Sequence, residues 1–135
     1  MASIHKDITL VTEPAAVWDA MRDFGNVDTR VARGFVVESH LDGDARIITF
    51  AGGTVVRERI VDVDDVNRRL VYTVVDGPLG ATHHQASVEV HADPADPSRT
   101  HVVWVTDVLP HGLAPTIDGL MQQGAAAIKR TFASK

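Results

Sequence analysis

Two ionisable side chains sit where apolar ones belong in strand-like segments of this 135-residue chain. In THHQASVEV, Thr82 to Val90, successive side chains of a strand point to opposite faces. His83, Gln85, Ser87 and Glu89, continued by His91, form a face suited to water. Thr82, His84, Ala86, Val88 and Val90 form the other, which makes His84 an imidazole on a core-type face. In VVRERIVDV, Arg57 and Arg59 share a face that belongs in water, so Glu58 faces inward between Val56 and Ile60. A carboxylate there is costly unless it is paired or protonated. In HVVWVTDVLP, Val102, Trp104, Thr106 and Val108 share a face on which Trp104 is the natural inward aromatic.

Hairpins closing near residues 65–68 and 77–81 place Glu58 opposite Val74 and Val74 opposite His84, with Thr106 opposite His84 on the next strand. Strands lie about 4.8 Å apart, so Glu58 and His84 stand roughly 10 Å apart at Cα on one face. The side chains span that distance by leaning together, or through a water or ligand. Glu58 and His84 are therefore the candidate catalytic pair, able to move a proton on a carbonyl substrate in an aldol-type cyclisation or a dehydration. The plainer alternatives are a pair that orients a ligand and a satisfied pair in the core. Tyr72 and Trp104 are expected to line the same space, each with a polar atom that needs a partner. Arg30 and Arg33 could reach over a pocket mouth toward an acidic ligand, or simply be exposed loop arginines.

Metal chemistry is not expected. His83 and His84 point to opposite faces of a strand and cannot chelate one ion, and His5, His40, His91, His101 and His111 show no ligand spacing. No phosphate loop, dinucleotide fingerprint or nucleophile elbow occurs, so no cofactor is expected. A chain without cysteine has no disulfide or thiolate chemistry, which is compatible with the cytoplasm. Hydrophobic content of 44% and charged content of 23% fit one globular domain over residues 1–135. A net charge of -5 argues against a nucleic-acid partner. No apolar run approaches the roughly 18 residues of a membrane span, and the N-terminus lacks the layout of a signal peptide.

The elements that must position these residues follow from periodicity and turn signals. Residues 3–11 read as a strand with Ile4, Ile8 and Leu10 on one face. Pro14 then opens a helix, whose apolar side is Val17, Trp18, Met21 and Phe24 and whose end is Gly25-Asn26. Six strands follow at about 34–40, 45–51, 54–63, 69–76, 82–91 and 99–109, with short connections that imply an antiparallel meander. Pro110 ends the last of them, and a long helix runs from about Leu113 to Ala133. Ile117, Leu120, Met121, Gly124, Ile128 and Phe132 line one stripe of it, and Gly124 with Ala125-Ala126-Ala127 keeps its middle thin. Such a middle allows close packing on the sheet or leaves room for a ligand touching Met121, Ala125 and Ile128. The order is that of an α+β domain with a curved antiparallel sheet of seven strands wrapped around a C-terminal helix. An edge strand of that sheet could support a homodimer.

The segments EPAAVWDAMRDFGNV, VVRERIVDVDD, RRLVYTVVDGP, THHQASVEV, HVVWVTDVLP and LMQQGAAAIKRTF together resemble the SRPBCC superfamily, which includes START-type, Bet v 1-like and polyketide cyclase/dehydrase proteins. The resemblance spans nearly the whole chain and implies a helix-grip fold that binds an apolar or aromatic small molecule between sheet and helix. Only some members catalyse a reaction. Many relatives carry Trp and Pro shortly after the FGN-like segment, where this chain reads Val27-Asp28-Thr29-Arg30-Val31-Ala32-Arg33-Gly34, so the role of that tryptophan does not transfer. Three functions compete: a polyketide cyclase-like enzyme, a non-catalytic carrier or sensor, and a co-chaperone-like interaction module. A large pocket favours the first two, a collapsed one the third.

Overall fold

In a computed structural model that describes residues 2–133, β-branched and aromatic runs form seven strands and two apolar-striped segments form the main helices. In chain order these are β1 (Ala2–Leu10), α1 (Pro14–Arg22), α2 (Val27–Arg30), β2 (Val36–Asp42), β3 (Ala45–Phe50), β4 (Val55–Asp64), β5 (Arg69–Asp76), β6 (His83–Ala92), β7 (Thr100–Leu109) and α3 (Ala114–Ala133). A single antiparallel sheet has the order β1-β7-β6-β5-β4-β3-β2, so the first strand returns to pair with the last. The six-strand meander, the long helix and the α+β class stand as read from the sequence. No helix among the described residues is long and apolar enough to cross a membrane.

One element was not anticipated. The first helix ends at Arg22 and not at Gly25-Asn26 as expected; Phe24–Asn26 form a separate 3-10 turn that leads into the single turn of α2, where the sequence reads as a loop from Val27. Val27 and Val31 fall four residues apart on its inner side and both are buried, with Ala32 beside them. The first helix is fastened to the β4–β5 turn, where Asp65 accepts hydrogen bonds from Trp18 Nε1 at 2.9 Å and Arg22 Nε at 2.8 Å.

Helix α3 is held at both ends. Near its start, Asp118 pairs with Lys6 of β1 at 2.6 Å. Near its end, the Thr131 hydroxyl accepts the Arg33 backbone N–H at 3.0 Å, and the Phe132 carbonyl accepts the Thr12 hydroxyl at 3.2 Å. Between these fastenings the helix lies against two apolar clusters. The larger contains Ile8, Val17, Phe24, Val102 and Phe132; the smaller contains Val108, Ile117 and Met121. Trp104 packs against both and joins them.

Candidate functional site

Between α3 and the sheet lies a cavity of about 350 Å³, in the usual size range of small-molecule sites. Its wall is mostly apolar, with Val31, Ile48, Val88 and Ile128 typical of it. Thr54, Pro78, Thr116 and Leu120 line it and are also exposed. The mouth therefore opens between the β3–β4 turn, the β5–β6 loop and the first turns of α3. The β5–β6 ladder ends at Tyr72–Ala86, well short of the loop, while the β6–β7 ladder continues to His83–Leu109. The two strands thus part company beside the cavity.

Glu58 faces inward from β4 as its alternation requires, and its partner is Arg46, directly opposite on β3. Arg46 donates to Glu58 Oε1 from Nε at 2.8 Å and from Nη2 at 2.7 Å. It also donates from Nη1 to the Phe24 carbonyl at 3.1 Å, and its guanidinium stacks 3.8 Å from the Phe24 ring centroid. Both ionic groups are buried, Arg46 at 6% exposure and Glu58 at 7%. Burial of two charges is sustained only because each is paired and hydrogen-bonded. Glu58 Oε2 has no partner among the described residues and is not sealed from the cavity.

Tyr72 and Trp104 do share the cavity wall, and they satisfy one another: Trp104 Nε1 donates to Tyr72 Oη at 3.2 Å. Burial raises the Tyr72 phenol well above its ordinary pKa, and the Glu58 charge adds to that, while Arg46 and the Trp104 bond oppose it. The indole can lie where it does because residue 124 is glycine. A Cβ there would stand 2.8 Å from Trp104 Cη2, 2.9 Å from Cζ3 and 3.3 Å from Phe35 Cε2. The thin middle of the helix is thus filled by the Trp104 ring from the sheet.

His84 lines the cavity from β6. Its Nδ1 accepts the Val74 backbone N–H at 3.1 Å, and its own carbonyl accepts the Thr73 hydroxyl. Burial lowers its pKa below the ordinary histidine value, with His83 acting the same way and the Glu58 charge opposing. Glu58 and His84 do belong to one inward row, with Glu58 opposite Val74 as counted from the turns. Each, however, has another partner in the protein: Arg46 for the carboxylate and the Val74 amide for the imidazole.

Thr106, Met121 and Ile128 line the cavity as expected. The register of Thr106 needs correction: it pairs with Ala86, and Val108 is opposite His84. A slip of two residues leaves the face unchanged, which is why Thr106 still points inward. Arg30 is a second correction. It does not line the cavity, because Asp19 at 2.7 Å and Asp23 at 2.8 Å hold its guanidinium. The Arg30 and Asn26 bonds keep the Asp23 carboxyl below the usual carboxylate range. Ala125 is a third, since it packs against the larger cluster beside the cavity and is not part of the lining. Arg46 is a site residue outside the sequence candidates, and its signal is the alternation of Arg46, Ile48 and Phe50 onto one face that the Gly52-Gly53 turn brings to Glu58.

A family model described as "Polyketide cyclase / dehydrase and lipid transport" matches residues 1–133. No curated protein matches the chain. Among solved structures, the protein XoxI from Bacillus cereus superposes with a TM-score of 0.87 at 18% identity, over 98% of this chain and 96% of that one. A protein from Thermobifida fusca is 27% identical with a TM-score of 0.74, over 96% of this chain and 88% of that one. A START superfamily protein from Mycobacterium smegmatis is 11% identical with a TM-score of 0.76, over 98% and 97% of the two chains.

Proposed function

The chain belongs to the polyketide cyclase/dehydrase and lipid transport family, within the SRPBCC superfamily, and on that premise we propose that it binds an apolar or aromatic small molecule in the cavity between α3 and the sheet. The observation that carries the reading is the cavity itself: about 350 Å³ and apolar over most of its wall, with the Arg46–Glu58 pair, Tyr72, His84 and Thr106 among the few polar groups inside and Thr54 and Thr116 at the mouth. A large apolar surface with a small number of placed polar atoms is what orients a small ligand. The open cavity also weighs against an interaction module, which has no need of it.

Binding is tested with 2-acetonaphthone, an aromatic ketone, by equilibrium dialysis. The expected result is saturable binding that weakens at least tenfold in Val74→Trp, a variant that fills the lining while its thermal midpoint checks the fold. Binding that Val74→Trp leaves unchanged overturns the assignment to this cavity.

Turnover of a carbonyl substrate by cyclisation or dehydration is the finer reading, and one observation favours it. Glu58 Oε2 is unpartnered in a space that also holds the Tyr72 hydroxyl and the His84 ring. A proton acceptor beside hydrogen-bond donors is what removal of a proton next to a carbonyl requires. Against it, the other carboxylate oxygen, Oε1, is already engaged twice by Arg46, which is how a structural ion pair is built. In Glu58→Gln, lost turnover with retained 2-acetonaphthone binding supports catalysis; turnover unaffected by the substitution sinks it.

A further inference from the structure

We propose that His84 is a hydrogen-bond donor of fixed tautomer, whose Nε2–H takes an oxygen of the ligand that can only accept, such as a ketone carbonyl, and that it is not the proton-accepting base of the cavity. This deepens the ligand-binding reading above and rests on it. The geometry begins with the Val74 amide, which has a proton to give and nothing to accept with. It meets His84 Nδ1 at 3.1 Å. Only an unprotonated ring nitrogen can receive that bond, so the single proton of the neutral imidazole is on Nε2. An imidazolium has no lone pair. Protonation of His84 would therefore break the bond and leave the Val74 amide without an acceptor.

The backbone offers no substitute. In a continued β5–β6 ladder Val74 would lie opposite His84, but the ladder stops at Tyr72–Ala86 and the His84 carbonyl is taken by Thr73. The side chain of His84 thus stands in for a missing strand carbonyl, and that substitution fixes the ring. Burial acts in the same direction by disfavouring the charged form. The ionisable groups around the ring are Glu58 from β4 and, through it, Arg46 from β3, with His83 adjacent on β6 and Tyr72 on β5; on β7, Val108 is opposite and Trp104 and Thr106 line the same cavity. Nε2 has no partner among the described residues and is not sealed by protein.

The neighbouring groups define what the ligand atom must be. Tyr72 Oη already accepts from Trp104, and its own proton has no acceptor among the described residues, so it is a second donor. Glu58 Oε2 is the one carboxylate oxygen lining the cavity that has no partner among the described residues. A ligand oxygen placed between two donors is bound best when it carries no proton that must be placed elsewhere. A carbonyl meets that condition; a hydroxyl meets it only if its proton reaches Glu58 or the Thr106 hydroxyl.

Two measurements test the proposal. The first is a long-range proton–nitrogen NMR correlation of histidine-labelled protein without ligand, near pH 7. The expected pattern for His84 is a protonated Nε2 and an unprotonated Nδ1; an Nδ1–H tautomer or an imidazolium pattern overturns it. The second compares 2-acetonaphthone with 2-isopropenylnaphthalene, in which CH2 replaces the carbonyl oxygen. Wild type should favour the ketone about tenfold, and His84→Leu should cut that preference several-fold, with the Tyr72 donor accounting for what is left. Equal affinities in wild type, or a preference undiminished in His84→Leu, overturn the ligand assignment. If neither compound binds, the binding reading fails and takes the ligand assignment with it, while the tautomer measurement still decides the state of the ring.

Discussion

At the scale of single residues, the site is governed by which polar groups are already spent. Arg46 is committed to Glu58 and to the Phe24 carbonyl, and its guanidinium also stacks on the Phe24 ring, so it braces the 3-10 turn against the sheet. Removal of one member of a buried ion pair leaves the other charge uncompensated. Arg46→Leu should therefore lose about 3 kcal/mol or more of unfolding free energy in urea, whereas Arg46→Leu with Glu58→Leu should recover much of it. A single variant within about 1 kcal/mol of wild type would show that the pair is not a stability element. Tyr72 gives a pH prediction, because the chain has only one tyrosine. Its folded pKa is raised by burial from an unfolded value of 10.0, so the folded state holds its proton more tightly. The stability this represents is complete below pH 10 and declines as pH rises above it. Tyrosinate absorbance should consequently appear only together with loss of secondary structure; ionisation near pH 10 with the fold intact would contradict the burial of the phenol.

At the scale of elements, the decisive contact is between α3 and β7. Gly124→Ala gains up to about 1 kcal/mol of helix propensity but drives a Cβ into an indole that Tyr72 holds in place. Overpacking of this kind costs about 1–3 kcal/mol, so the variant should melt lower and bind aromatic ketones several-fold more weakly. A higher thermal midpoint with unchanged binding would mean that the Trp104 ring can yield freely. The strands also show where sequence reasoning holds and where it fails. Face assignment held for Glu58, His84, Trp104 and Thr106, because alternation survives any even slip in register. Glu58 does stand opposite Val74, but only because a bulge at Val61 shifts the pairing by one between the β4–β5 turn and Glu58, and no residue type marks that bulge in the sequence. Thr106 was misplaced by two because the loop between β6 and β7 folds back on itself, with the Asp93 N–H bonded to the Arg99 carbonyl. The Asp and Pro residues of that loop announce a turn but not how many residues it absorbs.

At the scale of the whole molecule, the order of the seven strands and the two long helices could be read directly, since each of these has its own periodicity and boundary residues. What could not be read was the closure between elements far apart in sequence. Arg30 has Asp19 and Asp23 as neighbours only once α2 has turned back along α1, and the one turn of α2 is too short to leave a periodic signal. Ala125 was assigned to the ligand from the general thinness of α3, which cannot say on which side of one helical turn the cavity lies. Trp104 depends on such closure more than any other residue, for it touches both apolar clusters and stands in the cavity wall between them. The chain's second tryptophan, Trp18, is tied to Asp65 and does not line the cavity. The protein therefore carries two chromophores with different surroundings. Light emitted by Trp104 depends on what lies against its ring, while Trp18 supplies a steady background, so the colour and brightness of the native emission form a built-in gauge of occupancy.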